Sequence, residues 1–513
     1  MKPEPTGGEC KKSTGVYLPA DDRPCNLLYP RRLARSAGYE LKVPRREALG
    51  HKKKSADIEE LKKWILDRIP DVDFLIASID LILYGGMIPA RIHEIPLPIL
   101  KKRIELLRKI ARSQDDFPIY AHSLILRESE VNSSEEEPDY WAEFGKDIVN
   151  YFSLKVKKEE KGLSSKERDR FLKLSDRVPN QHLKDYRERR DVNFELNRTA
   201  IDLVKEGVID FLLLGRDDTS RYSLASREET ELRNYLNEKG VSENCRIFPG
   251  ADQFGSLLLA RHHSVNRENP LSMSVLYSST GGKTVTPPYE DRPLGETVRA
   301  HLSAVGAETT ASPEDADAVL AVNSPPIGDY KPVDSPEQNH KPAEYDLNRE
   351  LNFFLNSIER AKQLAQTQIG LADITFPNGS DIELMEGLSS RSLLKSIIAY
   401  AGWNTASNSL GTVISWLVLS AESPNFRFIR LMDDWGYQAI CRQKVGENWG
   451  ANFGEEFTNF DKEESRKKAE KQIRSCLGDF MENWLEEKRS FGVSLPWERL
   501  FEVEISMDGE TRE

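Results

Sequence analysis

Val16-Tyr17-Leu18-Pro19-Ala20-Asp21-Asp22-Arg23-Pro24 carries an apolar run straight into two acids, an arginine and a proline. A short apolar run stopped by polar and turn residues reads as a buried strand, and the proline is pre-set for the first turn of a helix behind it. Ser36-Ala37-Gly38 then closes the helix, a strand follows at 39–43, and Asp71-Val72-Asp73 opens the apolar run 73–78. The same order returns later. Asp291-Arg292-Pro293 precedes a helix, Ala304-Val305-Gly306 closes it, a strand follows at 307–310, and Asp315-Ala316-Asp317 opens the run 318–322. A glycine behind each helix is the expected stop.

Working outward, candidate strands lie at 16–19, 39–43, 73–78, 119–126, 211–214 and 246–248, then at 274–278, 307–310, 318–322, 369–373 and 397–400. Amphipathic stretches separate them, such as 57–68, where Ile58, Leu61 and Ile65 recur at helical spacing behind Asp57. The pattern predicts an α/β protein with mainly parallel sheets in two Rossmann-like lobes; the alternative is a (β/α)8-type barrel beside a Rossmann-like domain. The expected division is an N-terminal α/β domain at 14–268, a C-terminal α/β domain at 270–442 and a charged helical extension at 443–513. Segment 155–190 reads as an exposed, charged helical insertion and 324–342, with five prolines, as a linker or surface loop.

The 513 residues suffice for two large domains, and 72 basic against 84 acidic side chains give a net charge of −12. That balance argues against binding phosphate backbones or an anionic membrane surface. Five widely spaced cysteines without a C-x-x-C pair disfavour disulfides and a zinc ribbon. No apolar run is long enough to span a membrane. The start lacks a signal-like apolar core, so the expectation is a cytoplasmic protein, or an extracellular one if a leader has been trimmed.

Ligands of parallel α/β sheets sit beyond the carboxyl ends of the strands, so polar residues after each run are the site candidates. They are Asp21, Asp22, Arg23, Asp80, Tyr84, Arg127, Asp252, Asp373, Trp403, Asn404 and Asn408 for substrate binding, with Asp217 and Asp218 as the catalytic pair. Phe211 to Leu214 should be buried, so two adjacent acids emerging at its end cannot both ionise cheaply unless Arg216 or Arg221 neutralises them. No Walker or dinucleotide motif, histidine zinc cluster or G-x-S-x-G elbow occurs; no cofactor is expected, and an all-oxygen Mg²⁺ or Ca²⁺ site made of Asp21, Asp22, Asp217, Asp218 and Asp252 is a minor alternative.

Leu18 to Pro24, the run from Ser78 to Gly86, Leu214 to Asp218, Pro249 to Gly255, Tyr289 to Glu296, Ala401 to Gly411 and Asp433 to Ala439 resemble, in order, the motifs of the bacterial family catalogued as domain of unknown function 4127 (DUF4127). Members of that family often carry a secretion signal. Gln253 stands where the family pattern suggests Glu, so the resemblance implies no catalytic acid there.

Aspartates, asparagines, arginines and the aromatic rings of Tyr84, Tyr222 and Trp403 suit a polyhydroxylated ligand. The leading expectation is a glycosidase-like hydrolase of a polar carbohydrate, with an aspartate as general acid. The alternatives are a non-catalytic carbohydrate or envelope-fragment binding protein and a metal-dependent hydrolase or isomerase. What separates the first two is a carboxylate held protonated near neutral pH.

Overall fold

The computed structural model describes residues 13–216, 222–328, 333–347, 349–364, 368–449, 459–460, 462–485 and 487–508. Strands β1 (Thr14–Leu18), β2 (Glu40–Lys42), β3 (Phe74–Ser78), β4 (Ile119–Ile125), β5 (Phe211–Arg216) and β6 (Cys245–Pro249) pair in parallel in the order β2-β1-β3-β4-β5-β6. Strands β7 (Ser272–Tyr277), β8 (Glu308–Thr310), β9 (Ala318–Asn323), β10 (Gln368–Asp373) and β11 (Ile397–Ala401) form a second parallel sheet, in the order β11-β10-β9-β7-β8. Counted from its own first strand, each sheet runs second, first, third, fourth, fifth, with a sixth strand added at the far edge of the first sheet. The lobes therefore share one winding, and both sheets are open rather than closed into a barrel.

The repeated turns occupy equivalent places. Asp22-Arg23-Pro24 leads into the helix Pro24–Ser36 behind β1, and Asp291-Arg292-Pro293 into the helix Leu294–Val305 behind β7. Gly38 (φ 83°) and Gly306 (φ 74°) turn the chain from those helices towards the edge strands in a conformation that other residues adopt only with strain. Asp73, just before β3, accepts the backbone N–H of Thr14 at 2.8 Å, and Asp317, just before β9, accepts that of Ser272 at 2.9 Å. In each lobe one carboxylate thus fixes the first strand against the third.

Parallel strands are buried on both faces, which is why they read as continuous apolar runs. Tyr17, Phe74 and Ile76 face a core shared with the second sheet, while Val16, Leu18 and Leu75 face a separate outer core. Helices Pro24–Ser36, Phe254–Val265, Leu294–Val305 and Ala406–Leu419 contribute to the shared core between the sheets. Helix Ala406–Leu419 is buried along its whole length, and Gly411 lets Gln253 pack directly against it.

Three details depart from the sequence reading. Within 443–513 a helix, Glu463–Phe480, is followed by an antiparallel hairpin of β12 (Phe491–Ser494) and β13 (Glu504–Met507), so that stretch is not helical throughout. Cys441 and Cys476, 35 residues apart, form a disulfide because helix Glu463–Phe480 packs on the π-helical segment Leu431–Cys441; Cys25 and Cys245 are free and buried. Segment 155–190 is helical, but Arg190 at its end is fully buried and pairs with Glu228 at 2.6 Å. Among the described residues no helix is long and apolar enough to cross a membrane.

Candidate active site

The loop after β1 delivers Asp21, Asp22 and Arg23 beside Asp252, which follows β6. Arg23 donates to Asp21 at 2.8 Å and to Asp252 at 2.6 Å, and the Asn26 amide bridges the same two carboxylates at 2.9 and 3.0 Å. Trp497, from the far end of the chain, packs against the guanidiniums of Arg23 and Arg499, 4.9 and 4.7 Å from its ring, and donates to Asp22 at 2.7 Å. Arg127 pairs with Glu136 and Glu137, and Arg499 reaches the same Glu136 at 2.8 Å. Asp21, Arg23 and Asp252 thus form one ion-paired cluster, to which Asp22 is joined through Trp497 and Arg127 through Glu136 and Arg499. Segment 497–502 covers the cluster and joins the second lobe through Tyr437, Gln438 and the ring of Trp403.

Asp80 opens the short helix Ile79–Tyr84 behind β3 and accepts from Ser123 and from the Leu124 backbone. Burial pushes its carboxyl up to about 7. Tyr84 ends the same helix with its ring 4.5 Å from His93. Both side chains are buried in the interior, not set at a crevice.

In the second lobe Asp373, at the end of β10, shares the Asn323 amide with Asp381, both at 2.9 Å. Burial and the charge of Asp381 push Asp373 up to about 8. With Asn404, Thr405 and Ser409 it lines a crevice too narrow for a water molecule, bounded by Pro287 and Pro288. The loop of Trp403 and Asn404 is held at Gly402, whose N–H donates to Asp434 at 2.6 Å, and Arg430 pairs with the same carboxylate. Asn408 lies in the first turn of helix Ala406–Leu419 and is buried.

On the other side of segment 287–291 an open cleft of about 470 Å³ lies between the lobes, lined by Arg216, Ser226, Glu229, Thr230, Arg233, Glu290 and Asp291. Arg216 ends β5 and pairs with Glu229 and Asp291, and Arg292 reaches Glu229 at 3.1 Å. One oxygen of Glu290 accepts the Ser407 N–H at 2.9 Å in the first turn of helix Ala406–Leu419. Its other oxygen, Oε2, has no hydrogen-bond partner among the described residues. Burial raises the Glu290 pKa against the opposing pull of Ser407, Arg292 and Arg216. At Glu229 burial also works upward, but Arg216, Arg292 and Arg233 outweigh it and hold the carboxyl below its ordinary value. One cleft thus holds a carboxyl biased towards its acid form and another biased towards its ionised form.

Asp217 and Asp218 directly follow Arg216 in the chain and lie outside the described residues. Sequence reasoning passed over Glu290, Glu229 and Arg216 as site residues. For Glu290 a signal was present, because it precedes Asp291-Arg292-Pro293 as Asp21 precedes Asp22-Arg23-Pro24. The two copies differ in pairing: Asp21 is held by Arg23 and Asn26, while Glu290 keeps one oxygen free of described partners. Gln253, where the family resemblance suggested Glu, is buried at the start of the helix Phe254–Val265, with its amide near Pro249 O and His301. Among the described residues no cluster of three or more His, Cys, Asp or Glu side chains is arranged to hold a metal ion.

The carboxyl transferase domain of pyruvate carboxylase from Rhizobium etli, solved with 3-bromopyruvate, aligns at 10% identity and a TM-score of 0.17 over 92% of this chain and 61% of its own length, a likeness too low to carry an argument. None of the curated proteins matches the chain. A family model described as a protein of unknown function (DUF4127) matches residues 15–506, nearly the whole chain, and the chain belongs to that family.

Proposed function

We propose that the protein is a hydrolase of a polar carbohydrate substrate, glycosidase-like in mechanism, acting in the cleft between the lobes. The observation that carries this reading is Glu290, a buried carboxyl with a raised pKa in the lining of an open polar cleft, whose Oε2 is itself buried and has no hydrogen-bond partner among the described residues. Glu290 is the general acid. Its proton passes to the departing glycosidic oxygen as the carbon–oxygen bond breaks, and a water activated by Asp217 or Asp218 supplies the new oxygen and gives up its own proton. Arg216, Ser226, Thr230 and Asp291 offer donors and acceptors for sugar hydroxyls.

The test is a panel of aryl glycosides presented to the parent chain and to Glu290→Gln, Asp217→Asn and Asp218→Asn, each with and without Mg²⁺ or Ca²⁺. Turnover by the parent that drops by orders of magnitude in the variants supports the reading. Oligosaccharide binding with no cleavage by the parent makes it a binding protein instead, and turnover only with added ion makes it metal-dependent.

We infer an oxidising compartment rather than a reducing cytoplasm, because disulfides such as Cys441–Cys476 are rare where glutathione keeps thiols reduced. Trapping free thiols in intact cells tests this. Cys441 and Cys476 labelled as free thiols would return the protein to a reducing compartment.

A further inference from the structure

Away from both strand-end crevices, helices Ile58–Leu66, Ile79–Tyr84 and Leu97–Ala111 enclose a groove of about 330 Å³. Its floor is apolar, with Leu61, Ile65, Ile82 and Leu106 all buried. Ile99 stands at its edge 48% exposed, a large apolar side chain facing water in a concave apolar patch. The volume is at the low end of ligand pockets, which run from roughly 300 to 1,000 Å³, and is too small for the stripe of a docked helix.

The mouth has the opposite character. Lys102 and Arg103 line it, and among the described residues neither makes an ion pair. Arg103 donates to the Leu83 carbonyl, and burial lowers its pKa with only the charge of Glu59 opposing. Glu59 is itself in reach of Lys62 at 3.4 Å. Glu59 and Lys62 line the groove too, so it carries three cations, Lys62, Lys102 and Arg103, against one carboxylate, a local reversal on a chain of net charge −12. It is complementary to a molecule with an alkyl tail and one anionic head.

We propose that this groove binds a medium-chain fatty carboxylate, its tail along Leu61, Ile65 and Ile82 and its head at Lys102 and Arg103. The inference is independent of the hydrolase reading, since it uses none of the cleft residues. Calorimetric titration of the full chain with hexanoate, octanoate and decanoate, with decanol as the uncharged control, tests it. Affinity should rise roughly fourfold per added methylene. Decanol should bind at least about tenfold more weakly than decanoate, and Arg103→Gln should remove most of that preference. Ile99→Glu, at an exposed position that folding tolerates, should abolish decanoate binding. Failure of decanoate to bind, affinity independent of chain length, decanol equal to decanoate, or decanoate binding unchanged in Ile99→Glu would each overturn the proposal. So would an acidic amphipathic peptide that binds this groove where decanoate does not.

Discussion

The indole Nε1 of Trp497 donates to Asp22 Oδ1 at 2.7 Å across a separation of 475 residues. The first lobe's switch point lies between β1 and β3, where an open α/β sheet ordinarily takes its ligand. Here the chain's own segment 497–502 fills the adjoining crevice. The equivalent turn of the second lobe, with Glu290, opens instead on the cleft. Two copies of one motif thus sit in different surroundings, one closed by the chain's own segment and one lining an open cleft.

Trp497→Phe keeps much of the ring but leaves Asp22, which is buried, with His51 as its remaining side-chain donor among those described. The expected loss is about 1–3 kcal/mol for a buried acceptor stripped of its donor, rising to about 3–5 kcal/mol in Trp497→Ala, which also opens a cavity. Denaturant midpoints equal to that of the parent chain would show that the segment does not hold the crevice.

His51 bridges Asp22 at 3.0 Å and Glu498 at 3.2 Å, and the hydrogen bond to Asp22 is the main cause of its raised pKa. Lys52 also faces Glu498, at 3.3 Å. A raised folded-state value means the stabilisation is complete below the unfolded value of about 6.5 and is lost as pH rises through the folded one. His51 is 38% exposed, so the amplitude should stay under about 1 kcal/mol. Stability measured against pH should fall over that window in the parent chain. The local slope should vanish in His51→Gln.

Arg23 and Arg292 occupy equivalent turns but different surroundings. Arg23 is buried between Asp21 and Asp252, whereas Arg292 is 17% exposed beside Glu229 and Asp291. Lysine cannot reproduce the guanidinium's fork, so Arg23→Lys should cost about 3 kcal/mol and Arg292→Lys under about 1 kcal/mol. Thermal unfolding of the two variants side by side checks the ranking. Equal melting temperatures would refute it.

The sequence made the parallel strands legible because burial on both faces leaves uninterrupted apolar runs, and it made the repeat legible through Asp-Arg-Pro and the aspartates before β3 and β9. It also located the polar residues at the strand ends. What it hid were their partners. Trp497 and Arg499 come from a charged stretch without periodicity, and nothing local marks them as neighbours of Asp22 or Glu136. The pairing of Cys441 with Cys476 depends on one helix packing on another, which spacing does not encode. Charge density along 155–190 spoke for solvent, yet Arg190 is buried because Glu228 is delivered by a different helix.

The Cys441–Cys476 bridge closes a loop with a sequence separation of 35. Chain entropy then gives about 3–4 kcal/mol of stabilisation. Reductant should lower the denaturant midpoint of the parent chain and leave that of Cys441→Ser, already lowered, unchanged. A parent midpoint insensitive to reductant, with the bond shown to be reduced by mass, would remove the bridge from the account of stability.

Glu290 gives the sharpest expectation, because burial affects its stability contribution and its chemistry in linked ways. An acid whose folded pKa is raised keeps its proton in the native state after the unfolded chain has lost it. Stability is therefore eroded as pH climbs from about 4.3, the ordinary glutamate value, towards the folded one. Glu290→Gln removes that erosion and should be the more stable protein at neutral pH, with the difference absent at acid pH. Catalysis should move the other way. A general acid works while protonated, so turnover should decline as pH rises through the Glu290 pKa, and the glutamine variant should lose roughly 10²–10⁴-fold on a substrate with a poor leaving group. A nitrophenyl glycoside, whose leaving group needs little protonation, should lose far less. Equal losses on both substrates, or a parent profile with no decline on the alkaline side, would remove Glu290 from the acid role even if cleavage itself is real.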